Sequence, residues 1–278
     1  MREGKSMAIR SKALRSSGTS FARYRLHAAW AALGAALGAA ALLAGGPAQA
    51  ENSVGIGVGI VPEYAGSKDY HAVPVLRLSY ERGPFFIGTN DGLPALGLQT
   101  RLAPDWEAGI FVGMRLKRDA DDHDRLEGLD NIETHATAGA FLRWQPGRWR
   151  ITTTAVQALR SGYGTRVELN GSYAVWDAGR NTVRLGAETA WGSHDDMSTW
   201  FGVSSAEASR SEAGLGSYSA GAGFRSAGLY ANWRYALNEQ WSLSTTLGVR
   251  TLLGDARDSP IVERRTSAYG IVGVNYRF

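Results

Sequence analysis

Ser193, His194, Asp195 and Asp196 stand side by side and supply the side-chain types of a hydrolytic triad. Such a site needs a base within hydrogen-bond reach of a hydroxyl nucleophile and a carboxylate that orients the base, so it is defined by geometry and not by adjacency. Consecutive residues on irregular backbone point in different directions, and the spacing here reads better as a solvated loop than as a catalytic centre. After residue 50 the chain has only His71, His123 and His135 besides His194. His135 is expected to face an interior polar network. A second group, Asp119, Asp121, Asp122, Asp124, Glu127 and Asp130, offers oxygen ligands of the kind calcium takes. An EF-hand loop requires glycine at its sixth place. Counted from Asp119 that place is Asp124, and the glycine comes only at Gly128. The motif fails, leaving a hydrated link with at most loose attraction for cations. The glycine strings GIGVGI and GAGF lead into no helical pattern, so neither is a nucleotide-binding loop. The reading is a protein that is not an enzyme, with no catalytic, cofactor-binding or metal residues.

What positions these residues follows from the pattern around them. Seven Lys and Arg precede the alanine-rich run AAWAALGAALGAAALLAGG, which ends in Ala48-Gln49-Ala50. A basic region, an apolar core and a small-residue cleavage site make a secretory signal. Residues 1–50 are therefore expected to be removed at Ala48 and Ala50, leaving 51–278 as the mature domain. That removal takes seven of the 30 basic and one of the 26 acidic residues, leaving 23 against 25. The sequence pI of about 9.4 belongs largely to the signal. No clustered basic run remains to suggest nucleic acid as a partner. The absence of cysteine excludes a disulfide framework.

Beyond residue 50, apolar side chains recur at every second position: Val54, Ile56, Val58 and Ile60; Trp106, Ala108, Ile110, Val112, Met114 and Leu116; Val183, Leu185, Ala187, Thr189 and Trp191. Glycine, arginine and other polar residues fill the places between. This is the dyad of strands with one apolar and one polar face. The links between strands alternate: short ones such as ERGP, APD, QPGR, DAGRN and NEQ take turns with longer ones such as PEYAGSKDY, KRDADDHDRLEGLDN, the stretch from about Gly192 to Ser217, and LGDARDSPIVERR. Eleven links give twelve strands with every short link on one side. The expected fold is all-β: a closed antiparallel transmembrane β-barrel of twelve strands in the outer membrane, after a cleaved signal peptide. Strand three, near Phe85 to Thr89, is short, and strand ten starts somewhere between Gly216 and Leu229. Trp106, Trp144, Trp149, Trp176, Trp191, Trp233 and Trp241 fall at strand ends and read as interface girdles.

A closed barrel must pair its last strand with its first, because an open edge in lipid strands backbone donors and acceptors. Gly270, Val272, Val274, Tyr276 and Phe278 fall on the lipid side of the closing strand YGIVGVNYRF, with Gly273, Asn275 and Arg277 on the lumen side. A terminal Phe on such a strand resembles the signal read by the bacterial barrel assembly machinery, so that machinery and outer-membrane lipids are expected partners. Arg77, Arg101, Glu107, Arg115, Glu133, Arg143, Arg150, Arg166, Glu168, Arg184, Glu188, Arg234 and Arg250 are expected to point inward, where opposite charges could pair and narrow the lumen.

The segments GIGVGIVPEYAGSKDYHAVPV, GMRLKRDADDHDRLEGLDNI, WFGVSSAEASRS and LLGDARDSPIVERR, with the closing GVNYRF, resemble the MltA-interacting protein (MipA/OmpV) family. Its motif residues fall here at Pro62, Tyr64, Gly66 and Ser67 in the first long link and at Asp255, Asp258, Ser259 and Pro260 in the last. The resemblance implies an outer-membrane protein that in some members is a scaffold for peptidoglycan turnover, joining a murein-degrading lytic transglycosylase to a penicillin-binding protein. Other members carry roles in adhesion or stress response. The expected function is therefore a non-enzymatic scaffold of the Gram-negative envelope, with a narrow channel, a surface adhesin or stress-response protein, and last an outer-membrane hydrolase as alternatives.

Overall fold

The computed structural model describes residues 52–90 and 92–278. The expected signal segment, with Ala48 and Ala50, lies outside the described residues. Twelve strands follow one another: β1 (Ser53–Pro62), β2 (Tyr70–Arg82), β3 (Phe85–Asn90), β4 (Leu93–Ala103), β5 (Trp106–Arg115), β6 (His135–Trp144), β7 (Trp149–Ala158), β8 (Thr165–Ala178), β9 (Asn181–Gly192), β10 (Gly223–Ala236), β11 (Trp241–Leu252) and β12 (Thr266–Arg277). Each pairs antiparallel with its chain neighbours, and β12 closes the barrel on β1 from Ser53–Arg277 to Ile60–Gly270.

The alternation explains why this shape is stable. Ile110, Leu229 and Leu247 are 60%, 63% and 61% exposed, values that would be costly in water and are ordinary against acyl chains. Most inward positions between such residues are glycine, hydroxyl-bearing or charged, with Phe86, Phe111 and Phe141 among the apolar exceptions. On one side of the lumen the glycines have a packing role. Phe86 lies across from Gly97, Phe111 across from Gly139 and Phe141 across from Gly109. A Cβ at Gly139 would stand 2.3 Å from the Phe111 ring, and one at Gly109 would stand 2.5 Å from Phe141. With Ala95 and Val156 these rings form an apolar cluster inside the barrel. Tyr230 rests on Gly186 and Tyr269 on Gly248 in the same manner.

Short links 83–84, 104–105, 145–148, 179–180 and 237–240 lie at the end that also carries both strand termini of the barrel, the periplasmic end. Six of the seven expected girdle tryptophans gather there, with Trp106 stacked on Trp144 at 5.7 Å and Trp241 against Tyr276 at 4.9 Å. Trp191 sits at the opposite end of β9. β3 and β4 pair as far as Asn90 with Leu93 and so form a hairpin. β10 starts at Gly223, within the range the sequence left open, and a register shift between Phe224 and Ser226 obscures its alternation there.

Candidate functional site

The long links do not wave in solvent; they fold together over the outer mouth. The stretch expected as a loop forms α1 (His194–Phe201) and α2 (Ser205–Arg210), and the last link forms α3 (Gly254–Asp258). Met197, Phe201, Val203, Ala256 and Ile261 are completely or almost completely buried, joined by Leu215 and Ala220 of the same stretch and by Tyr64, Leu126 and Leu129 from two other links. Apolar residues from four links thus share one small core, which explains why polar, glycine-rich stretches could hold a fixed shape. The acidic link contributes Ala120, Leu126, Leu129 and Ile132 to burial, and Arg118 with them, so the expected hydration is left to exposed acids such as Asp121, Asp122, Asp124 and Asp130. Asp119 is held by Lys117 at 2.5 Å and Asp130 by Arg210 at 2.7 Å. Among the described residues no group of three or more His, Asp or Glu is arranged to hold a metal ion.

The cap is latched to the barrel by buried charge. Asp196 of α1 is completely buried and accepts from Arg225 Nη1 at 2.6 Å and from Arg115 Nη1 at 3.3 Å. Arg118 donates to the Trp200 carbonyl oxygen at 2.9 Å. The Arg115, Arg118 and Arg225 guanidinium carbons lie 5.7, 5.9 and 6.0 Å from the Trp200 ring centroid, within cation–π range. Burial pushes Arg118 down to about 10. This geometry disposes of the hydrolytic reading of residues 193–196. Ser193 caps α1: its Oγ accepts from the amides of Thr165 at 2.9 Å and Asp196 at 3.4 Å. His194 and Asp195 are exposed on the far side. The expectation of a solvated loop is corrected as well, since Asp196 selects a helix whose inner face plugs the barrel.

The two sets of motif residues meet at this cap. Tyr64 donates from its hydroxyl to the Ile261 carbonyl oxygen at 3.1 Å and to Glu263 at 3.2 Å. Burial, then the Glu263 charge, raises its pKa well above the ordinary tyrosine value. Gly66 has φ 105° and its carbonyl oxygen accepts from the Glu263 and Arg264 amides at 2.8 and 2.9 Å. A Cβ there would also meet Val262 at 2.7 Å, so both conformation and space call for glycine. Ser67 is buried behind it, while Pro62 ends β1. In the last link, Asp255 accepts from the Gly221 amide at 2.7 Å, Ser259 donates to the Phe201 carbonyl oxygen at 2.5 Å, and the Pro260 carbonyl oxygen accepts from Arg125 at 2.6 Å. Asp258 pairs with Arg257 at 2.9 Å.

Beneath the cap the lumen keeps a cavity of about 1030 Å³ lined by Arg77, Arg143, Arg150, Arg184, Arg250, Arg264 and Arg265, with Glu188 as the acid among its described lining residues. Arg250 pairs with Glu188 at 2.6 Å, Arg143 with Glu107 at 2.7 Å, and Arg166 with Glu168 at 2.8 Å. The expected ion pairs therefore form, but they do not fill the lumen. Closure is at the outer mouth, where Arg115, His135, Arg225 and Leu252 are buried; Arg101, Arg150 and Arg234, near the other end, are exposed. His135 faces inward as expected, with Nδ1 2.9 Å from the Glu133 carbonyl oxygen and its ring 4.6 Å from that of Tyr163. Arg118, Arg225, Arg264 and Arg265 escaped the sequence reading. Three lie in links, and Arg225 sits at the register shift, where a strict two-residue count fails.

A closed twelve-stranded barrel with a lipid-facing apolar belt and a capped, arginine-lined lumen is an outer-membrane β-barrel protein. The chain belongs to the MltA-interacting protein MipA family, whose model matches residues 54–278. The MltA-interacting proteins of Escherichia coli (strain K12) and Shigella flexneri are each 27% identical to it over 250 residues, covering 87% of this chain and 97% of theirs. Among solved structures, the NanC porin aligns with a TM-score of 0.47 at 9% identity, covering 82% of this chain and 100% of its own. The KdgM porin in complex with disordered oligogalacturonate aligns at 0.46 and 8%, covering 81% and 99%.

Proposed function

We propose that this barrel is a non-enzymatic membrane anchor whose periplasmic rim holds MltA, a lytic transglycosylase by the family resemblance, and through it the machinery of murein turnover. The observation that carries this reading is the asymmetry of the two ends. The outer mouth is covered by a cap with its own apolar core, which leaves the short periplasmic turns and the open end of the lumen as the surface that faces murein. That rim is shallow, but it is rigid: tight turns such as 83–84 and 179–180 join strands that are hydrogen-bonded on both sides, so little order has to be gained on binding. Arg148 and Arg180 are exposed on it.

Purified barrel in nanodiscs, titrated with the soluble form of the lytic transglycosylase from the same cell and followed by biolayer interferometry, tests the reading. Saturable binding that weakens at least several-fold in Arg148→Glu with Arg180→Glu is expected, since rim charges act on association. Binding absent from the wild-type barrel, or unaffected by rim variants and abolished by cap variants, overturns it.

A further inference from the structure

The barrel wall is interrupted at one place. β2 has 13 residues and β3 six, and their ladder consists of Tyr80–Ile87, Glu81–Phe86 and Arg82–Phe85. Above it the Leu78 amide donates to the Thr89 hydroxyl oxygen at 2.7 Å. From there to Tyr70, β2 is paired with β1 alone among the described residues. Such an edge inside a bilayer aims backbone donors at hydrocarbon. By the two-residue period the amides on this side after Leu78 are those of Leu76, residue 74 and Ala72, and residue 74 is proline, which has no N–H to leave unpaired. The edge is level with lipid, since Pro74 is opposite Val58 and Ala72 opposite Ile60, both half exposed on the barrel's outer face. The lumen cavity lies against this stretch, with Val75 and Arg77 of its inward face among the lining residues. The arginine-lined cavity therefore stands directly behind the unpaired edge.

We propose that this gap is a lateral portal by which an anionic phospholipid of the membrane seats its phosphate headgroup in the lumen, with its acyl chains leaving between β2 and the β3–β4 hairpin. Charge selects the headgroup. Arginines outnumber acids seven to one around the cavity; Arg77 stands at the foot of the gap, and the Arg264 amide is tied to Gly66 at the outer end of β1. Guanidinium groups hold phosphate oxygens through paired N–H donors. Position selects the tails. With the outer mouth capped, a molecule carrying hydrocarbon has its route through the wall, beside residues already in contact with lipid.

The absence of cysteine allows a clean test on the barrel folded in nanodiscs. A bimane label at Val75→Cys reports on the gap, and one at Thr246→Cys reports on the far wall of the same cavity. Phosphatidylglycerol with brominated chains should quench the Val75 label several-fold more than the Thr246 label, and brominated phosphatidylcholine should quench it less. Native mass spectrometry should find retained phosphatidylglycerol reduced roughly tenfold in the Arg77→Ala, Arg264→Ala variant, the loss of two charge-assisted phosphate contacts. Equal quenching at the two positions, or by the two lipids, overturns the proposal. So does displacement of the lipid by inorganic phosphate, which would make the ligand a free anion. The quenching arm keeps every arginine, so it decides the matter even where the arginine variant does not fold.

Discussion

Asp196 shows at the scale of one residue how much a buried charge can decide. Its carboxylate lies between two guanidinium groups that are themselves about nine-tenths buried. Removing one member of such a set leaves uncompensated charge in the interior, at a cost of about 3 to 5 kcal/mol. Asp196→Ala is therefore expected to release α1 from the barrel while the strands stay paired. Limited proteolysis in the 194–217 stretch should rise sharply, with the folded, heat-modifiable band on gels preserved; unchanged proteolysis would deny Asp196 this role. Tyr64 gives a pH dependence with a defined sign. Its folded-state pKa is raised above the ordinary value of 10, so its contribution is fully present below pH 10 and is lost as the pH rises above that value, by about 1.4 kcal/mol per pH unit. Arg118, lowered to about 10 by burial, works in the opposite direction in this range. Comparing wild type with Tyr64→Phe isolates the tyrosine: the variant's cap should lose less stability between pH 10 and 11, measured by protease access.

At the scale of the element, the closing strand is the sharpest case. β12 pairs with β1 and β11, so a fault in it leaves two open seams. Val274→Asp puts an acid on the lipid face, which costs less than the ~2 to 4 kcal/mol of Arg or Lys at the midplane but falls on the strand whose pairing leaves no open edge, and assembly should fail. Asn275→Asp changes a lumen side chain that bonds to Ser244 at 3.1 Å and should be mild. Deleting Phe278 should also block assembly if that residue carries the assembly signal. Heat-modifiable migration in outer-membrane fractions reads all three, and equal folding of Val274→Asp and Asn275→Asp would contradict the lipid-facing assignment. The sequence showed this element fully, because period-two alternation is local. β3 was legible only as a weak strand: its six residues carry too few alternations, and its shortness has meaning only beside the 13 residues of β2.

For the whole molecule, the cap over the lumen predicts an electrically quiet barrel. In planar bilayers the intact protein should pass little current, and Asp196→Ala should raise it, because the ion pairs of the strands leave the cavity beneath the cap unfilled. Steady large currents from wild type would mean that the cap does not seal, and would favour the channel among the readings of the family. From outside intact cells, antibodies to the 116–134 and 193–222 links should bind without permeabilisation. Binding only after the outer membrane is opened would invert the topology.

Twelve strands, their lipid and lumen faces, the side on which short turns lie and the closing role of β12 were all determined by the sequence itself. Each follows from a pattern confined to neighbouring residues: alternation within a strand, or the length of the link after it. The family segments were equally plain, yet what Tyr64, Gly66 and Ser259 do was not, since their partners lie at Ile261, Glu263 and Phe201, in other links or nearly the whole chain away. The same is true of Asp196. In the sequence it stood beside a serine and a histidine and suggested a triad; in the fold its partners are Arg115 and Arg225, 81 and 29 residues distant. Only closing the barrel brings those strand ends under the same cap, and only then do charges that look solvated in the chain become buried, paired and decisive.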